Sequence, residues 1–205
     1  MDWLWPSLCV GCGAVGEGRL CRACRAVVPA RPRLYVRGLA GAWTLARYDD
    51  PLGQALRHAK VKADREVAVL LGELLARRLA PVMRDAPFTA VVPAPSTVAS
   101  RVRRGFAPAA VFAEALGRAH DLPVVHALTR KAGARQATLD RTARRRNLVG
   151  KVRAEVSPGG LVLLVDDVLT TGATADACVR ELLGSGAQRV WLVTVCVVAR
   201  RRTRR

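Results

Sequence analysis

Apolar and polar positions change period along the chain, and each change predicts an element. Leu161-Val162-Leu163-Leu164-Val165 is an unbroken apolar run with the length and branching of a strand buried on both faces. From Thr174 to Leu183 the apolar positions take helical spacing, and Gly184 and Gly186 supply the stop. Arg189 to Val198 is a second β-branched run. Strand, helix and strand over this length predict a right-handed βαβ unit in a parallel sheet. Upstream, Leu34 to Tyr48 predicts a short β-hairpin, with Gly38 and Gly41 near its turn. One long helix is predicted over Leu52 to Leu79, from Leu52, Leu56, Ala59, Val67, Leu70, Leu71, Leu74 and Leu75. Thr89 to Val92 predicts a strand ending in Pro93-Ala94-Pro95, then a loop bearing Arg101, Arg103, Arg104 and Gly105, then a helix over Pro108 to Arg118. Arg130 to Asn147 has no hydrophobic period and many arginines, which suits a lid over a site. The fold class these elements imply is α/β with a central, mostly parallel sheet.

Ligands of such sheets sit at the carboxyl ends of the strands, and the chain puts chemistry there. Val165 is followed by Asp166, Asp167, Val168, Leu169, Thr170, Thr171, Gly172, Ala173 and Thr174. Gly172 lets the backbone approach an anion, and free N–H groups at the helix start point toward it. Hydroxyls of Thr170, Thr171 and Thr174 add donors for phosphate oxygens. Carboxylates beside such a cradle would repel the phosphate itself, so Asp166 and Asp167 should face vicinal sugar hydroxyls, directly or through a Mg²⁺ shell. The plainer alternative makes the two aspartates strand-end residues and Thr171 a helix cap. If the Thr89–Val92 strand lies beside this one, Arg101, Arg104 and the loop backbone suit a second anionic group such as pyrophosphate. His58 and Lys60 read as solvent-facing, although Lys60 could reach a phosphate.

Cys9-x-x-Cys12 and Cys21-x-x-Cys24 are two CxxC pairs separated by eight residues. Each pair sets two thiolates on one tight turn, and two turns complete a closed tetrahedral site for structural Zn²⁺. Disulfides are the competing reading, disfavoured in a reducing compartment. Gly11-Cys12-Gly13-Ala14-Val15-Gly16 satisfies GxGxxG literally, but the flanking pattern and the metal ligand inside it argue against a dinucleotide site. Cys178 and Cys196 lie in apolar stretches and read as buried small hydrophobes.

Composition changes the picture in two ways. With 205 residues there is room for one full α/β core and a small appendage, divided as a knuckle over 1–32, a main domain over 33–199 and a basic tail over 200–205. No apolar run approaches a membrane span, and Met1 to Pro6 does not resemble a signal peptide, so a cytoplasmic location is expected. The net charge is +18, and arginine supplies 30 of the 34 basic residues. Clusters at Arg101–Arg104, Arg141–Arg153 and Arg200–Arg205 attract polyanions, although an arginine-rich composition can also reflect a GC-rich genome.

The segment Asp166–Thr174 resembles the 5-phosphoribosyl-1-pyrophosphate (PRPP) motif of type I phosphoribosyltransferases. That resemblance implies an acidic pair, Asp166 and Asp167, on the ribose hydroxyls and a loop, Thr170, Thr171, Gly172, Ala173 and Thr174, on the 5-phosphate. Tyr48-Asp49-Asp50-Pro51-Leu52, the helix reaching Lys60, Val91-Val92-Pro93-Ala94-Pro95 and Arg101-x-Arg103-Arg104-Gly105-Phe106 narrow it. Together with Arg135-Gln136-Ala137-Thr138-Leu139, Arg144, Asn147 and the CxxC pairs, they resemble the ComF (competence protein F) family over nearly the whole chain. The family implies a zinc knuckle on a type I phosphoribosyltransferase-like domain, connected in some bacteria to DNA uptake. Family members usually continue Arg-Gly-Phe with Asn-Gln, where this chain has Ala107-Pro108, two hydrogen-bonding side chains fewer.

Two functions from different classes follow. One is phosphoribosyl transfer from PRPP to an unidentified nitrogen nucleophile, with Mg²⁺, release of pyrophosphate, and Asp166 and Asp167 as the catalytic pair. The other is a non-catalytic, PRPP-sensing protein that handles single-stranded DNA through its basic clusters, with a partner in the competence machinery. A regulator in which PRPP occupancy gates nucleic-acid binding would join the two through reciprocal linkage.

Overall fold

The computed structural model describes residues 7–16, 18–29, 31–32, 36, 38–130 and 152–198. The predicted lid over Arg130–Asn147, apart from Arg130, and the tail over Arg200–Arg205 lie outside these residues. Four strands form one sheet in the order β1 (Leu39–Arg47), β6 (Arg189–Val197), β5 (Leu161–Leu169) and β2 (Phe88–Pro93), and every neighbouring pair is parallel. Val91 bridges in parallel to Val124 at the outer edge of β2. A separate antiparallel ladder joins β3 (Leu128–Arg130) to β4 (Val152–Ala154).

The unbroken apolar runs are explained by two cores. On one face of the sheet, Leu161, Leu163 and Val165 of β5 pack with helices α2 (Pro51–Val61), α3 (Arg65–Arg84) and α5 (Pro108–His120). On the other, Val162 and Leu164 pack with α6 (Ala173–Gly184) and the β3–β4 ladder. Alternate residues of one strand therefore feed opposite cores, and neither face needs polar positions. Three of the four amino-terminal cysteines and Leu20 share the first of these cores, beside the short helix α1 (Arg22–Arg25).

Four expectations change. No hairpin forms among the described residues of 34–48; Leu39–Arg47 is one strand lying parallel to β6. Gly41 is not a turn residue, since a Cβ there would meet the Trp191 ring at 2.8 Å; it marks close approach within the strand, beside a register shift. The single long helix is two, α2 and α3, because Ala63 takes a left-handed φ of 55° and Asp64 N–H closes back on the Ala59 carbonyl at 3.0 Å. The arginine loop is a helix, α4 (Val98–Arg104), capped by the Thr97 hydroxyl and ended by Gly105 at a φ of 73°. Finally β5 runs on beyond the predicted Leu161–Val165 to Leu169, so Asp166 and Asp167 lie within the strand, with Asp166 paired to Thr194.

Candidate functional site: a carboxylate pair at the strand ends and a four-cysteine knuckle

The carboxyl ends of β5 and β2 open on a pocket of about 190 Å³. Asp166, Asp167, Thr174, Ser96, Arg104 and Arg130 supply its polar lining. Strand alternation sends the two carboxylates to opposite sides of β5. Asp167 Oδ1 meets Lys60 Nζ of α2 at 2.8 Å, whereas Asp166 feels Arg130 on the other side and accepts the Asp167 N–H at 2.8 Å. Burial, then the Asp167 carboxylate, push Asp166 up to about 7, against the pull of that amide and of Lys60 and Arg130. The Asp166 carboxyl therefore keeps its proton to higher pH than a surface aspartate does.

The threonine–glycine loop divides. Gly172 takes a left-handed φ of 79° as the cap of α6, a conformation that side chains resist. Thr171 Oγ1 accepts the Ala173 N–H at 3.3 Å, Thr174 lines the pocket, and Thr170 is exposed. Arg104 lines the same pocket, and its Nε is buried with no hydrogen-bond partner among the described residues. Arg101 instead lines a neighbouring cleft of about 460 Å³ with His126, Glu114 and Phe106. The two spaces share Ala94, Pro95, Ser96 and Arg130 as lining residues.

Two residues change standing. Lys60 is not solvent-facing: its side chain is 23 % exposed and ion-paired to Asp167. His58 is likewise engaged, with Nε2 3.0 Å from Asp64 Oδ2. Arg130 was not singled out for the site, although it borders both spaces; only its place at the start of the arginine-rich segment could have signalled it.

The Sγ atoms of Cys9, Cys12, Cys21 and Cys24 all lie within 4.8 Å of one another. Cys9 and Cys24 are 3.7 Å apart, and Cys12 and Cys21 are 3.6 Å apart. Tetrahedral thiolates about 2.3 Å from a shared ion would be separated by about 3.8 Å, so the cluster has the size to hold a metal such as zinc. The Cys21 N–H points at Cys9 Sγ from 3.3 Å. Burial alone would raise Cys9, but the amides of Cys21, Cys12 and Gly11 outweigh it and hold the thiol down at about 6. The GxGxxG string forms the turns of this knuckle, with Gly13 at a φ of 77° and Gly16 at 98°. Cys178 and Cys196 are fully buried, and burial pushes both thiols up, as suits packing residues.

No family model matches the chain. DNA utilization protein YhgH of Escherichia coli O157:H7 is 30% identical over 198 residues, spanning 93% of this chain and 84% of the relative. Competence protein ComFC of Bacillus subtilis (strain 168) is 29% identical over 140 residues, 68% of this chain and 56% of that protein. Among solved structures, the allosteric regulatory enzyme of purine biosynthesis overlaps 62% of this chain and 25% of its own length, at 24% identity and a TM-score of 0.41. Adenine phosphoribosyltransferase from Leishmania tarentolae overlaps 76% of this chain and 91% of its own, at 13% identity and a TM-score of 0.42.

Proposed function

The chain belongs to the ComF family, and from that premise we propose that its strand-end pocket binds PRPP or a closely related ribose 5-phosphate. The observation that carries this reading is that the Asp166–Asp167 strand end, a helix-start threonine and a buried arginine donor with no partner among the described residues all border one small pocket. Asp166 and Asp167 accept hydrogen bonds from the ribose hydroxyls. Thr170, Thr171, Gly172, Ala173 and Thr174 take the 5-phosphate at the amino end of α6. Arg104, with Arg101 at the edge of the adjoining cleft, takes the pyrophosphate. The carboxylate oxygens suit a hard cation, and Mg²⁺ arriving with the ligand would offset the pyrophosphate charge. At the knuckle, Cys9, Cys12, Cys21 and Cys24 hold a structural Zn²⁺ that leaves no open coordination position.

In the catalytic form of the reading, a nitrogen nucleophile bonds to the anomeric carbon as its bond to pyrophosphate breaks. Asp166 and Asp167 then face the positive charge that develops on the sugar, and pyrophosphate leaves with the bonding pair. The second form is favoured by the names of the relatives, a DNA utilization protein and a competence protein, and by the +18 charge. In it, the same pocket senses PRPP while basic clusters bind single-stranded DNA, and affinity falls steeply with salt.

Calorimetry with PRPP and Mg²⁺ tests the binding claim. The double variant Asp166→Asn/Asp167→Asn is expected to lose binding while keeping its far-UV spectrum; an unchanged affinity would overturn the assignment. Pyrophosphate release across a panel of bases and amines separates transfer from sensing.

A further inference from the structure

Lys60 lies outside the strand-end motif, yet it touches Asp167 more closely than any other cation among the described ion pairs. The cysteine knuckle meets α2 at its first residue and meets the α2–α3 junction just beyond its last. At the first residue, Gly11 of the knuckle packs so closely that a Cβ there would lie 3.0 Å from the Pro51 carbonyl oxygen and 3.2 Å from Cys24 Sγ. Beyond the last turn, Arg19 of the knuckle forms an ion pair with Asp64 and a second one with Glu66 at 3.3 Å. Arg19 is itself fixed within the knuckle, its carbonyl accepting the Val10 N–H at 3.0 Å.

Asp64 joins these parts. Its N–H closes the end of α2 on Ala59, its Oδ2 meets His58 of α2 at 3.0 Å, and its Oδ1 caps α3 through the Val67 N–H at 3.1 Å. A shift of the knuckle therefore moves both anchors of α2, and α2 carries the Lys60 ammonium to Asp167, which borders the ligand pocket.

We propose that the four-cysteine knuckle positions the ligand site from outside it: by seating α2 at Pro51 and at Asp64, it sets Lys60 against Asp167. Lys60 is a positioning residue. It holds one oxygen of Asp167, leaves the other for the ligand, and offsets negative charge where an anionic sugar phosphate must approach. Metal binding at the knuckle thereby acts on affinity at the strand ends without a metal-bound atom entering the pocket. The proposal rests on reading that pocket as a PRPP site.

The test uses the full chain loaded with zinc, with metal content measured for each variant. Lys60→Met is expected to weaken Mg²⁺–PRPP binding by about tenfold or more, the scale of a lost charge-assisted hydrogen bond. Lys60→Arg is expected to recover most of that loss, and failure to do so overturns the role given to the charge. Arg19→Met is expected to keep its metal and still weaken binding about threefold, because one of two anchors is lost. A second readout needs no ligand: amide hydrogen exchange over Leu52–Lys62 should quicken in Arg19→Met and in wild-type protein stripped by a chelator. Unchanged exchange in both overturns the coupling. A wild-type protein that binds no PRPP refutes the earlier reading alone, since the exchange experiment still decides whether the knuckle holds α2.

Discussion

Replacing Asp166 by Asn should make the ligand-free protein more stable at pH 8 while destroying its site. Asp166 sits at about 7 in the folded chain, raised by burial and by Asp167. In the unfolded chain it ionises near 3.9, as any aspartate does (about 3.9 by reference peptides). A folded-state value above the unfolded one means that the group favours folding below about pH 4, and that this contribution is lost as pH rises through about 7. Three units at 1.36 kcal/mol each set an upper bound of about 4 kcal/mol for the loss at pH 8. Asp166 keeps partial solvent contact, so the measured effect should be nearer half of that, about 2 kcal/mol. Asparagine preserves the acceptor for the Asp167 N–H and removes the charge. In a chain of this size the gain corresponds to about 4–8 °C in melting temperature. Urea titrations of both proteins at pH 5 and pH 8 isolate the effect of the Asp166–Asp167 pair, because carboxylates not coupled to it cancel in the difference between them. A variant no more stable than wild type at pH 8, or equally shifted at both pH values, would show that Asp166 is not held at a raised value.

Two further outcomes follow from packing and from the cysteines. Gly53→Ala places a Cβ 2.0 Å from the Tyr48 carbonyl oxygen, so the first turn of α2 must move and urea unfolding should show a loss of about 3 kcal/mol or more. With zinc bound, a thiol reagent should leave Cys9, Cys12, Cys21 and Cys24 unmodified; chelation should expose them, while Cys178 and Cys196, both fully buried, react only on unfolding.

The parts of the fold read directly from sequence are those where one local signal suffices. The β5–α6–β6 unit was legible because unbroken apolar runs bracket a helical period that glycines terminate. The cysteine cage was legible because the spacing of two CxxC pairs determines the geometry. Elements were missed where the deciding partner is distant or the signal unconventional. Ala63 ends α2 in a conformation usually reserved for glycine, so nothing in Lys62-Ala63-Asp64 announces a break. Gly41 looked like a turn because the Trp191 ring that covers it comes from β6. Thr97 and Gly105 did bracket α4 as cap and stop, but a helix that buries no side chain shows no apolar period. Within the site, Asp166, Asp167 and Thr174 were legible from the motif. The pairing of Lys60 with Asp167 joins residues more than a hundred positions apart and belongs to the tertiary fold alone.

The order of strands also has a consequence for how the molecule is made. Of the described strands, β1 leaves the ribosome first and its sheet partner β6 last. About 140 residues separate Arg47 from Arg189, and at roughly 5–20 residues per second β1 waits on the order of ten to thirty seconds for its neighbour. During that interval the four cysteines of the knuckle, complete by Cys24, are already made, whereas β1 and the apolar face of α2 stay unsheltered. Slow codons would thus prolong one vulnerable species, a nascent amino-terminal half with an open strand edge.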